Sequence, residues 1–132
     1  MVVVIDTSAL VAVLVSEPQR AALVRASHGA DLVAPGSVHW EVGNAMSALL
    51  KRHRATLAQV RSALAAYSAI PIRLVDVDLA LALEVAAEHS LYAYDAYLIT
   101  SALAQRAPLL TLDHGLSRAA TAAGVACLEV KA

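Results

Sequence analysis

Met1-Val2-Val3-Val4-Ile5-Asp6-Thr7-Ser8 opens the chain, and the fold turns on how this stretch is read. The run before Asp6 is apolar, mostly β-branched and free of polar alternation. That pattern suits a strand buried on both faces, as in a parallel sheet covered by helices. A helical pattern begins directly afterwards at Ala9-Leu10-Val11. Asp6 is therefore expected at the carboxyl end of a central strand, where open α/β sheets place their ligands.

The remaining chain alternates in the same way. Ala9 to Val15 reads as a short helix, and Ser16-Glu17-Pro18-Gln19 as the start of another, with Ser16 as N-cap. Leu32-Val33-Ala34 is a strand, and Ser37 opens a long helix through about Arg54. Val42, Ala45, Met46, Leu49 and Leu50 give that helix an apolar stripe. Thr56 and Asp78 cap two further helices, with the strand Ile72 to Val75 between them. Tyr94-Asp95 opens the next helix; Leu109 to Leu112 is a strand ending at Asp113. A helix from about Leu116 to Ala123 and a last strand from Val125 to Val130 complete the chain. Strands alternating with helices argue for an α/β fold with a mainly parallel sheet.

Composition sets outer limits. A chain of 132 residues makes one domain, 1–132, with room for a sizeable core. The hydrophobic fraction of 59% is high, so some apolar surface is expected at an oligomer or partner interface. No uncharged run approaches the ~18 residues of a membrane span, and the start lacks the cationic segment of a signal peptide. The lone Cys127 makes no internal disulfide, which fits the cytoplasm. A net charge of −1 gives no global cationic field, so binding to nucleic acid has to rest on a local basic patch or a metal.

Asp6, Glu41, Asp95 and Asp113 are the candidate site residues. Each has a plain structural reading. Asp6 and Asp113 suit a cap or turn, and Glu41 suits a solvated position beside its helix's apolar stripe. Asp95 differs. With Leu98, Ile99 and Ala102 it follows the i, i+3, i+4, i+7 spacing, so it heads the core-facing stripe itself. An inward carboxylate needs a partner or a metal. Crowded carboxylates raise one another's pKa, and a cluster that stays ionised needs a cation. An all-oxygen set suits Mg²⁺ or Mn²⁺ over Zn²⁺. Such an ion activates water and steadies a phosphoryl oxygen.

Asp6-Thr-Ser-Ala-Leu, Glu41-Val-Gly-Asn44-Ala, Tyr94-Asp95-Ala-Tyr-Leu-Ile and Thr111-Leu-Asp113, in this order, resemble the PIN-domain nucleases, and among them the VapC-type toxins of bacterial toxin–antitoxin pairs. The resemblance spans nearly the whole chain. It implies a three-layer sandwich with a five-stranded, mainly parallel sheet between helices. It also implies a homodimer, Mg²⁺- or Mn²⁺-dependent endoribonuclease activity using a metal-activated water, and a small VapB-like antitoxin occupying the active-site groove. By the same resemblance Asp6, Glu41, Asp95 and Asp113 are catalytic residues and metal ligands. Ser8 orients Asp6, and Asn44 stands beside Glu41 as a supporting residue. The family's further acid or Asn after the fourth position is replaced here by His114-Gly115-Leu116, which weakens the case for a second ion.

Lys51-Arg52-His53-Arg54 is the dense basic cluster. It suits a helix C-terminus. Arg52 also lies three helical turns beyond Glu41, within about 20° of its face, and so is a candidate RNA contact. Tyr92, Tyr94, Tyr97 and Trp40 cluster near Asp95 and Glu41 and are open to core, interface or base-stacking roles. Three rival functions remain. A Mg²⁺-dependent phosphatase of the haloacid-dehalogenase type needs an Asp where Ser8 stands. A receiver domain needs an acidic pair that Asp6 lacks. A catalytically silent PIN-like protein- or RNA-binding module differs from the enzyme only in turnover.

Overall fold

The opening apolar run becomes an inner strand. In the computed structural model, which describes residues 1–130, β1 spans Val2–Ile5, β2 Asp31–Pro35, β3 Ile72–Val75 and β4 Leu109–Leu110. The sheet order is β3-β2-β1-β4 and every pairing is parallel. Val3 pairs with Leu32, Ile5 with Leu110, and Ala34 with Leu74. Neighbouring strand residues point to opposite faces, and Val3 and Val4 are both fully buried. Helices therefore cover both faces, which makes three layers.

The helices are α1 (Thr7–Leu14), α2 (Arg20–Ala26), α3 (Ser37–Lys51), α4 (Leu57–Ala69), α5 (Leu79–His89), α6 (Ala93–Gln105) and α7 (His114–Ala122). α6 packs against β1, β2 and β4, while α1 packs against α2, α3 and α4. α5 leans mainly on α6. The main core gathers Leu10, Leu23, Val33, Ile99, Leu109 and Leu110 around β1. Each such side chain contributes about 1.5–3 kcal/mol by leaving water. Met46, Val60 and Ala63 form a smaller cluster between α3 and α4.

Helix starts follow the caps. The side chains of Asp6, Thr56, Asp78 and Asp113 accept from the backbone N–H groups of Ala9, Gln59, Leu81 and Leu116. At Thr56 the Gln59 side chain also accepts the Thr56 N–H at 2.9 Å, completing a reciprocal capping box. Ser16 departs from its expected capping role. It adopts φ +55°, donating its N–H to Val13 O, while Glu17 N–H donates to Ala12 O. That paired pattern closes the end of α1. Ser16 is thus committed to stopping one helix and cannot start the next; α2 begins at Arg20 with no side-chain cap.

Among the described residues the sheet has four strands, where five are expected. β4 ends at Leu110 because the next N–H groups turn to side chains: Leu112 donates to Ser8 Oγ, and Asp113 to Thr111 Oγ1. The expected strand from Val125 to Val130 is reduced to one parallel bridge, Leu109 to Cys127. It is made by Leu109 N–H to Ala126 O and Leu128 N–H to Leu109 O, both 2.9 Å. A partner strand this short leaves no further ladder to pair with. Residues 131–132, the end of the expected domain, lie outside the described residues.

Candidate active site

The carboxyl ends of β1 and β4 carry the first part of the site. β1 ends in Asp6 and α1 starts at Thr7, so the Asp6 side chain turns back to cap α1 through Ala9 N–H at 3.1 Å. The same carboxylate accepts Ser8 Oγ–H at 2.8 Å on Oδ1 (3.0 Å to Oδ2) and Thr111 Oγ1–H at 2.6 Å on Oδ2. Thr111 reaches it because β4 lies directly beside β1, with Asp6 N–H donating to Leu110 O at 3.1 Å. Asp6 is only 4% exposed. Burial pushes its pKa up; the donors from Thr111, Ala9 and Ser8 oppose this, and the nearby charge of Asp113 adds to it.

Glu41 approaches from α3, and Asp95 from the first turn of α6. Both are half-buried. Burial raises the Glu41 pKa, and repulsion from Asp6 and Asp95 raises it further. The Thr7 hydroxyl favours ionised Glu41, yet Thr7 Oγ1 completes no hydrogen bond and Glu41 Oε2 is buried without a partner. Burial likewise raises Asp95, followed by repulsion from Asp113. Asp113 is exposed and caps α7 through Leu116 N–H. The chain of mutual repulsions, Asp113 with Asp6 and Asp95 and those two with Glu41, places all four acids in one region.

That region is short of positive charge. Among the described residues no Lys, Arg or His forms an ion pair with these acids; the exposed pair Arg73–Asp31, at 3.6 Å, lies elsewhere. A divalent cation fits the donors on two counts. The set is all oxygen, and Glu41 Oε2 is a buried acceptor with nothing to accept. Among the described residues no three acids converge into a finished cage. Mg²⁺ tolerates this, because it keeps several waters and binds through one or two carboxylates.

The other sequence candidates fall differently. Ser8 donates to Asp6 and accepts from Leu112 N–H, so its hydroxyl is fully engaged. Asn44 is exposed; its backbone carbonyl accepts Ser47 Oγ–H, and among the described residues its side chain makes no hydrogen bond. Arg52 caps the end of α3 and is exposed. Trp40, Tyr92 and Tyr94 are 75%, 91% and 56% exposed, which removes the core reading for them. Tyr94 meets part-buried Tyr97 edge-on, and Trp40 meets His39 edge-on at 4.8 Å. The part Thr111 plays in holding Asp6 is not announced by its place before Asp113 in the sequence. A hydroxyl in the otherwise apolar run Leu109-Leu110-Thr111-Leu112 was the available signal.

A parallel sheet with carboxylates at and over its carboxyl edge defines an α/β protein with an acidic site. The chain belongs to the PIN-domain family, whose description matches residues 3–122 and whose members are generally nucleases. Among solved structures it is similar to PAE2754 from Pyrobaculum aerophilum, with 22% identity and a TM-score of 0.66 over 90% of this chain and 87% of that one. It is also similar to VapBC2 from Rickettsia felis bound to a DNA fragment from their promoter. There the identity is 15% and the TM-score 0.62, over 89% of this chain and 92% of that one. At these identities the likeness is one of fold. A comparison with curated proteins gives no significant match. Among the described residues no helix is long and apolar enough to cross a membrane.

Proposed function

We propose that the chain is one nuclease domain, residues 1–132, a Mg²⁺- or Mn²⁺-dependent endoribonuclease acting as the toxin of a toxin–antitoxin pair in the cytoplasm. The observation that carries the reading is the uncompensated charge at the sheet edge. Asp6, Glu41 and Asp95 all have raised pKa values, and Glu41 Oε2 has no partner. Asp6, Glu41 and Asp95 would hold the ion, with Asp113 at its margin. A divalent ion there supplies Lewis acidity towards water and towards a phosphoryl oxygen.

The chain's own residues do the rest. Ser8, Thr111 and the Ala9 N–H hold Asp6 in one orientation. Glu41 Oε2 stays free to bind the ion or to take a proton as water attacks the phosphodiester. No side-chain nucleophile is needed, since the Ser8 hydroxyl is already committed. Arg52, at the exposed end of α3, would meet a phosphate away from the cut. The likeness to VapBC2 supports a small VapB-like antitoxin occupying the active-site groove, and the exposed apolar and aromatic side chains support a homodimer.

A silent binding module is the second reading, favoured by the lack of a ready-made cage among the described residues. Cleavage of labelled structured RNAs, including tRNA, by wild type and Asp95→Asn separates the two. The nuclease reading expects cleavage with Mg²⁺ or Mn²⁺, none with EDTA, and none by a folded Asp95→Asn. Equal cleavage by both proteins overturns it.

A further inference from the structure

We propose that Thr7 is the positioning residue of Glu41, its hydroxyl donating to the glutamate carboxylate and holding it ready for a divalent cation. The inference rests on the nuclease reading above and gives one more residue a part in that site.

The hydroxyls around the acids divide into spent and unspent. Ser8 Oγ donates to Asp6 and accepts Leu112 N–H. Thr111 Oγ1 donates to Asp6 and accepts Asp113 N–H. Thr7 Oγ1 is buried and has no partner, and Glu41 Oε2 is in the same condition. Buried polar atoms are normally paired. Here the orphans are complementary, since a hydroxyl can donate and an ionised carboxylate oxygen can only accept.

The two also belong to the same place. Thr7 is the first residue of α1, Glu41 lies in α3, and α1 packs against α3. Burial, Asp6 and Asp95 all oppose charge on Glu41, whereas the Thr7 hydroxyl favours it. Asp6 is held by three donors; for Glu41 the donor at hand is Thr7. A small side-chain adjustment completes the bond. A carboxylate has about four lone-pair sites, so accepting Thr7 leaves Glu41 able to bind an ion.

Thr7 suits the task because a β-branched side chain is stiff about χ1. Glutamate has three rotatable side-chain bonds and needs such a fixed neighbour to hold one direction. Consecutive residues then arm two acids: Ser8 holds Asp6, and Thr7 holds Glu41.

The test compares Thr7→Val, which keeps the branched shape without the hydroxyl, with Thr7→Ser, which keeps the hydroxyl. Thr7→Ala is run beside Thr7→Val, so that poor folding of one leaves the other to decide; circular dichroism checks each. Isothermal titration calorimetry with Mn²⁺ alone reads the site without RNA. Thr7→Val should bind Mn²⁺ about tenfold or more weakly, as expected for a supporting partner of a metal ligand. It should melt close to wild type in EDTA and gain less from excess Mg²⁺. Thr7→Ser should lie near wild type in both measurements, and RNA cleavage at low Mn²⁺ should follow the same order. A merely structural Thr7 would lower melting equally with and without Mg²⁺ and leave Mn²⁺ affinity unchanged, which overturns the proposal. So does a Thr7→Ser as weak in Mn²⁺ binding as Thr7→Val. A wild type that neither binds Mn²⁺ nor cleaves RNA overturns the nuclease reading and this proposal with it. A wild type that does both, matched by Thr7→Val, overturns the role of Thr7 alone.

Discussion

Thr111 Oγ1 donates to Asp6 Oδ2 at 2.6 Å, joining side chains 105 positions apart. The same hydroxyl oxygen accepts Asp113 N–H at 3.0 Å. One threonine therefore fixes the first acid and shapes the turn that presents the fourth. Thr111→Val keeps the shape and removes both bonds. A hydrogen bond to a charged group contributes about 1.5–3 kcal/mol, so a stability loss of that order is expected in denaturant melts. Supporting partners of metal ligands are worth about 10–100-fold in affinity or activity, and RNA cleavage should fall by that much. Full activity in a folded Thr111→Val would remove Thr111 from the site.

Asp95→Asn should separate stability from activity. In the metal-free protein Asp95 is an acid whose charge is opposed by burial and by Asp113. Neutralising it relieves both effects, so the variant is expected to melt no lower than wild type in EDTA. Its cleavage of RNA should drop by at least about 10²-fold, as when a charge-stabilising group is lost. An ordinary structural carboxylate would show the reverse: lower melting and intact turnover.

The pH dependence has a definite sign. Asp6, Glu41 and Asp95 all have folded pKa values raised above their ordinary ones. As pH rises through the window between the ordinary and the raised values, the unfolded chain releases these protons first. The folded state then holds more protons, so stability falls with rising pH and levels off above the raised values. Melts in EDTA taken from the ordinary carboxylate range up to neutral pH should show that fall, more weakly in Asp95→Asn. Mg²⁺ should restore the loss at neutral pH. A wild type whose stability in EDTA is flat or rising across the window, and the same in Asp95→Asn, would count against a cation-deficient site.

What could be read in advance followed periodicity and caps. The Val2–Ile5 run, the Leu98 and Ile99 face of α6 and the caps at Thr56 and Asp78 are local patterns, and the structure has elements at those places. Two departures from local pattern have a common origin in competition for backbone groups. Ser16 looks like an N-cap in isolation, but its amide is already used in closing α1. Leu109 to Leu112 looks like a four-residue strand, but Ser8 and Thr111 take the N–H groups that would extend it. The β1–β4 pairing that brings Thr111 to Asp6 is non-local, so no window of sequence displays it. For the same reason the orphaned Glu41 Oε2 was invisible: it reflects the whole packing around α3.

Ser16→Gly tests the role of Ser16 in closing α1. A non-glycine residue at φ +55° carries about 1–2 kcal/mol of strain. Glycine removes it but loses about 0.5–1 kcal/mol more in the unfolded chain. The variant should gain about 0.5–1 kcal/mol, read as a higher denaturant midpoint with unchanged slope. A destabilised Ser16→Gly would mean that the Ser16 side chain has a task of its own.

Arg52 offers the last test, because it distinguishes a phosphate contact from a helix-end charge. α3 closes with His53 at φ +55° and Arg54 N–H bonded to Leu49 O at 2.9 Å, so Arg52 is held at a defined, exposed helix end. A cation there benefits from the helix dipole, and Arg52→Ala should cost only about 0.3–1 kcal/mol of stability for that reason. If Arg52 meets RNA, binding should weaken about equally for different RNA sequences, and the slope of log affinity against log salt should fall by about 1. The readout is binding to a catalytically inert Asp95→Asn background at several salt concentrations. An unchanged slope assigns Arg52 to the helix end alone, and the phosphate path then runs over another part of the surface.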